Sequence, residues 1–303
     1  MSRRFIACVA FVIAFASSSA GAQKIGEKLE RKGDEIVVCG QLYHTTAPVV
    51  LWTDPGGYDA YRVERRFAPI KEANWKATEA TKAINSPNRF SMRTRGLSEA
   101  QIERVRGGGW DLETLRGIVD QFVIHFDARG TSRYCYEVLH DKRGLSVHFM
   151  LDVDGTIYQT LDVKESAWHA TIANGRSVGI EIANIGAYPV DKPESDVVLS
   201  KWYKKGTDGL TTLAFPDGLE NSRIRTKGQD FRPLRNDPIV GTVQGQSLKQ
   251  YDLTPQQYDS LIAAEGKEKL RQATLEAVRK TISAEGAKGE AVEGVYFTSF
   301  VIQ

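Results

Sequence analysis

Histidine is scarce in this chain, five in 303 residues, and cysteine is scarcer, with three. Neither sign of charge dominates. Lys and Arg number 40 against 38 Asp and Glu, and loss of Arg3 and Arg4 with the leader described below brings the two counts level. Nucleic acid and anionic membrane surfaces both reward a clear basic excess, so this balance gives no reason to expect either as a partner. No internal repeat is present. The longest apolar run, Phe5 to Ala16, is about twelve residues, against the roughly 20 that a bilayer-spanning helix needs. No other stretch is long and apolar enough to span, so no integral membrane segment is expected after leader cleavage.

What is there begins with that run. Arg3-Arg4, the apolar stretch and the small residues Ala20 and Ala22 read as a cleaved secretory signal over 1–22, and the mature chain is expected to be exported, to a periplasm or the extracellular space. Cys8 leaves with it. In an oxidising compartment Cys39 and Cys135 either pair, closing a loop worth about 4 to 5 kcal/mol in the chain-entropy model, or stay as two buried thiols. Residues 23–115 read as an N-terminal extension without an evident catalytic motif, containing β-rich pieces (Glu35–Cys39, Pro48–Trp52) and a capping box, Ser98 with Gln101, for a short helix. His44 lies there, with a structural role expected.

From about Leu115 the patterning sharpens. Strands are predicted over 121–127, 146–153, 156–161 and 177–184, and a helix over about 131–140. Asp154-Gly155 between two alternating runs predicts a hairpin with a type I′ turn. Residues 185–250, rich in Gly, Pro, Asp and Lys, read as a long loop region. Thr254-Pro255-Gln256-Gln257 opens a further helix with an N-cap, a proline at the first helical position and a capping glutamine. From Ala263 to the end the chain is a charged, sparsely apolar helical tail that closes on Val295–Ile302. The fold class is α/β, a mixed central sheet flanked by helices, preceded by the extension. The expected divisions are 1–22, 23–115, 116–262 and 263–303.

Chemistry concentrates between 122 and 184. On a strand, alternate residues share a face. Val123, His125 and Asp127 oppose Phe122, Ile124 and Phe126, while Gly179, Glu181 and Ala183 oppose Val178, Ile180 and Ile182. If the two strands are neighbours, His125 and Glu181 emerge together, with Gly179 leaving room beside the carboxylate. An imidazole, the second imidazole of His169 and a carboxylate form a plausible kit for zinc-assisted hydrolysis. The plainer alternatives are a core histidine bonded to a carbonyl, a Glu181 paired with Arg176, and a Trp168 that packs in the core. His140, near a helix end, faces the helix dipole when charged.

Five motifs in order, Val123-Ile124-His125, Leu145-Ser146-Val147-His148-Phe149, Asp152–Gln159, Ala167-Trp168-His169-Ala170 and Val178-Gly179-Ile180-Glu181, resemble the zinc-dependent N-acetylmuramoyl-L-alanine amidases of the type 2 amidase family, related to the peptidoglycan recognition proteins. The likeness covers roughly 115–262. It implies a groove for peptidoglycan or muropeptides and cleavage of the bond between the muramyl lactyl group and L-alanine. It further implies His125 as a Zn2+ ligand, Glu181 as the catalytic glutamate, and Trp168, His169 and Asn184 as substrate-binding residues, with His148 structural. The family's two remaining ligands, a histidine and then an aspartate or cysteine, should follow the helix that starts at Thr254. This chain has no histidine after His169. Three explanations stand open: a frame shift or truncation after about residue 262, a degenerate amidase that binds peptidoglycan without zinc, or replacement of a ligand by His169, His148 or His44.

Overall fold

The computed structural model describes residues 30–62, 89–216, 224–226 and 230–265. The leader expected over 1–22 and the tail beyond 265 lie outside them. In chain order the elements are β1 (Glu35–Val38), β2 (Gln41–His44), β3 (Val49–Leu51), β4 (Phe90–Met92), α1 (Glu99–Arg106), α2 (Leu112–Arg116), β5 (Gln121–Phe126) and α3 (Ser132–Tyr136), which runs on as a π-helical turn over Glu137–Lys142. There follow β6 (Phe149–Leu151), β7 (Ile157–Gln159), β8 (Glu165–Ala167), a 3-10 segment (Thr171–Arg176), β9 (Ser177–Ile182), β10 (Tyr188–Pro189) and α4 (Pro193–Trp202). The last are β11 (Tyr203–Lys205), β12 (Thr211–Leu213), β13 (Ile239–Val243), β14 (Gln246–Gln250) and α5 (Pro255–Glu265).

A mixed five-stranded sheet in the order β3-β7-β6-β9-β5 forms the centre, antiparallel only between β6 and β7. The alternation read from the sequence decides its two faces. One face sets Val49, Leu51, Phe149, Leu151, Ile157, Val178, Ile180 and Ile182 against Leu115 of α2, Leu253, and Tyr258 and Leu261 of α5. Each such fully buried aliphatic side chain contributes about 1.5–3 kcal/mol relative to exposure. The other face carries Val50, Met150 and Tyr158 beneath Cys135 and Tyr136 of α3 and Leu139 of the π turn. That helix covers only part of this face, and Gly179 and Glu181 of β9 with His125 of the edge strand β5 continue it.

The structure bears on four expectations. Residues 49–51, within the stretch read as an extension, are an edge strand of the central sheet. Residues 185–250 are not a long loop: they hold α4, the β11–β12 hairpin and a three-stranded sheet, β10-β14-β13. The type I′ turn is not at Asp154-Gly155, where only the glycine has positive φ (82°) and its N–H bonds to Asp152 O at 3.0 Å. This matches a three-residue hairpin closed by a left-handed glycine. Both residues have positive φ instead at Gln244-Gly245 (49° and 81°) and at Cys39-Gly40 (52° and 76°). The last pair bears on the disulfide. Cys39, held in its turn by Asp162 Oδ1 at 2.8 Å, packs with one sheet face while Cys135 packs with the other, and both are free thiols.

Candidate functional site

β5 and β9 run parallel in a register that sets His125 opposite Glu181 and Val123 opposite Gly179. Because β5 is the edge of the sheet, His125 is only half-buried, as is Glu181. His169 arrives from the segment after β8, and its Nδ1 lies 3.1 Å from His125 Nε2 with the two rings at 87°. Its Nε2 meets Ser177 Oγ at 3.2 Å. Gly179 makes this approach possible: a Cβ there would fall 2.4 Å from His169 Cε1.

Behind this pair His148 is fully buried. Its Nδ1 accepts the Gly179 N–H at 3.2 Å and its Nε2 donates to Glu165 O at 2.9 Å. Both ring nitrogens are thereby spent, which fixes a neutral tautomer and a structural role.

Burial sets the charge state of the group. It pushes Glu181 up to about 8, with Asp127 adding to the effect and Arg143 opposing it. Burial lowers His125, takes His169 down to about 4 with help from His125 and Arg93, and takes His148 to about 3, Arg93 again contributing. Near neutral pH the site therefore presents neutral imidazoles beside a glutamic acid that is close to its titration point. Neutral imidazole nitrogens can ligate a metal or hydrogen-bond a carbonyl. A carboxyl group of this pKa is suited to exchanging protons near neutrality.

The donor set can be tested against zinc. A catalytic site uses three protein donors, and His125 Nε2 with His169 Nδ1 supplies two. Among the described residues no third His, Cys, Asp or Glu atom joins them within ligating range, and the three-donor set implied for Zn2+ is not complete there. The described residues do gather Asp34, Glu35 and His44 within 4.8 Å of one another, on the β1–β2 hairpin. That group is internally bonded: His44 Nδ1 lies 2.7 Å from Asp34 Oδ1, and Glu35 accepts the Lys32 and Gly33 N–H groups at 2.6 and 3.0 Å.

Of the residues expected at the site, His125, His169 and Glu181 come together. Trp168 adjoins them, half-buried, with its main-chain N–H donated to Ser146 Oγ at 3.1 Å. Asn184, expected to bind substrate, is corrected. It is buried, its Nδ2 donates to Tyr251 O at 3.1 Å, and its Oδ1 accepts from Gly186 N at 2.8 Å and Gln250 Nε2 at 3.2 Å, so its amide ties β9 to β14. Arg176, the alternative partner for Glu181, pairs with Asp120. His140 is buried against Tyr136, ring centroids 4.9 Å apart, with its Nδ1 3.0 Å from Asp141 Oδ1; burial lowers its pKa and Asp141 opposes the shift. The sequence reading missed Ser177, Asn174 and Arg93, which all bear on His169. Asn174 and Ser177 lie within eight residues of His169 but in no period that pairs them with it, and Arg93 acts from more than 70 residues away.

Among the described residues no helix is long and apolar enough to cross a membrane. No curated protein matches the chain. Residues 252–303 match a family model described as flagellar basal body-associated protein FliL, which overlaps α5 and continues past the described residues. Residues 115–212, which carry His125, His148, His169 and Glu181, match the family model described as N-acetylmuramoyl-L-alanine amidase.

Proposed function

We propose that the chain is an exported peptidoglycan amidase that hydrolyses the amide bond between N-acetylmuramoyl and L-alanine, in intact wall or in muropeptides. The observation that carries this reading is the β5–β9 register, which sets half-buried His125 opposite half-buried Glu181 within residues 115–212, the stretch that matches an amidase family model. Export rests on the leader-like residues 1–22. In its ionised form Glu181, shifted to about 8, takes a proton from the attacking water and returns it to the departing amine of L-alanine, so the rate should rise with pH toward that value. The His125 and His169 imidazoles hold the scissile carbonyl or the water in place.

In the finer reading a zinc ion at His125 activates that water, which requires a third donor. All five histidines are within the described residues. His148 is spent, and beyond Glu265 the chain has no His, Cys or Asp. A third side-chain donor from that segment would thus be a glutamate. The same count favours a second reading, a peptidoglycan-binding protein without catalytic metal.

Metal analysis of the purified full chain, combined with release of L-Ala-headed peptides from sacculi, separates the two. The amidase reading expects peptide release that falls at least about 100-fold in Glu181→Gln. Its zinc form also expects stoichiometric metal, lost in His125→Ala. Metal-free protein that sediments with sacculi and releases nothing supports the binder. Protein that neither binds nor cleaves sacculi sinks both.

A further inference from the structure

Arg93 follows β4, ahead of the stretch that matches the amidase family, and its side chain is wholly buried. Burial pulls its pKa down to about 10, so it is still cationic at neutral pH. A buried guanidinium is strongly unfavourable unless its donors are used, so its partners are informative. Nε and Nη2 donate to Val163 O at 3.3 and 3.2 Å, Nη1 to Asn174 O at 3.2 Å, and Nη2 also to Ser177 O at 2.8 Å. Nη2 further lies 3.1 Å from His148 Nε2. Since that nitrogen carries the proton given to Glu165 O, the contact is one of two donors, and the adjacent cation opposes protonation of His148.

Two of these carbonyls belong to the residues that grip His169. Asn174 Oδ1 accepts the main-chain N–H of His169 at 3.1 Å and of Ala170 at 2.7 Å, and Ser177 Oγ meets the His169 ring at 3.2 Å. The other end of the same segment is held by the same piece of chain. β4 pairs antiparallel with β8, which leads into Trp168, and Arg89 O accepts the Ser146 hydroxyl (2.5 Å) whose oxygen takes the Trp168 N–H. Residues 89–93 therefore clamp 168–177 at both ends, with His169 between.

We propose that Arg93 is a positioning residue of the candidate active site, fixing the 168–177 segment so that His169 Nδ1 meets His125 Nε2. This rests on the amidase reading of that site. Lysine would keep the charge, but its compact ammonium cannot bridge three carbonyls in the way a planar fork does.

The test uses the full chain with Arg93→Lys and His169→Ala, singly and combined. In peptide release from sacculi, Arg93→Lys should lower kcat about 10- to 100-fold with KM within about twofold. In the His169→Ala background it should cost less than about a further twofold, because residues acting through one another are not additive. Imidazole 15N–1H correlation spectra supply a readout independent of turnover: Arg93→Lys shifts the His169 and His125 ring signals and leaves that of His44 in place. Asn174→Ala, which spares the guanidinium, should give the same ring shifts with cooperative unfolding intact. Additive losses, unmoved His169 and His125 signals, or displacement of all five histidine signals with loss of cooperative unfolding would overturn the proposal. Wild-type protein that releases no peptide defeats the amidase reading alone, and the ring spectra still decide whether Arg93 positions His169.

Discussion

At position 179 the missing side chain does the positioning. His169 rests on β9 because nothing projects there, and a Cβ would come 2.4 Å from its Cε1 and 2.5 Å from its Nδ1. Gly179→Ala is expected to push the ring off β9 and break its contact with His125, at a stability cost of about 1–3 kcal/mol from overpacking. Peptide release would fall more than about 10-fold, and a crystal structure of the variant with the His125–His169 contact preserved would refute this account. His125, Gly179 and Glu181 were legible because a period of two assigns faces before any partner is known. Asn184 was misread, since the pattern names a face and not the hydrogen bonds that Gly186, Gln250 and Tyr251 would offer. Arg93 was not legible at all: its carbonyl partners Val163, Asn174 and Ser177 are 70, 81 and 84 residues away.

Helix starts carry their own instructions, and both capping boxes form as the spacing implies. Ser98 exchanges bonds with Gln101, and Thr254 with Gln257, whose N–H reaches Thr254 Oγ1 at 3.1 Å while its side chain accepts the Thr254 N–H at 3.0 Å. Thr254 also donates its hydroxyl to Val153 O at 2.7 Å, tying α5 to the β6–β7 connection. Thr254→Ala should therefore cost about 1–2 kcal/mol in urea unfolding, and a midpoint equal to wild type would show that the cap is idle. The strands of 239–250 were harder to see. Ile239-Val240-Gly241-Thr242-Val243 alternates only weakly in a glycine-, proline- and lysine-rich setting, and its I′ turn is Gln244-Gly245 in place of the usual Asn-Gly or Asp-Gly. Asp154-Gly155 carries the stronger local signal, yet the Gly155 N–H to Asp152 O bond closes a longer loop.

Across the whole molecule, buried titratable groups tilt stability in opposite directions with pH. Burial raises Asp127 to about 7 and Asp152 and Glu181 to about 8, so the folded chain keeps protons that the unfolded chain has released. Their contribution is fully present below the ordinary carboxylate range and is lost as pH rises through those values. His148 and His169, lowered to about 3 and about 4, work the other way: stability is present above the unfolded histidine value and drains as pH falls. Three acids outweigh two imidazoles between those ranges, so thermal midpoints should be highest at about pH 4 and decline as pH rises toward 8. Asp152→Asn should flatten the alkaline limb, and an alkaline limb unchanged by it would contradict the assignment.

The frame drawn by likeness and the frame drawn by contact do not coincide. Residues 115–212 omit β3, which pairs with β7, and omit the guanidinium that fills the space between Val163, Asn174 and Ser177. Excised to those limits, the stretch would leave β7 as a raw apolar margin and a ring of main-chain oxygens around a polar void. Such a fragment should aggregate or melt without cooperativity, whereas one that unfolds in a single sharp transition would show that its outer neighbours are ornaments. Engineering of this fold should therefore set its scissors by the hydrogen bonds, upstream of Glu35 and downstream of α5.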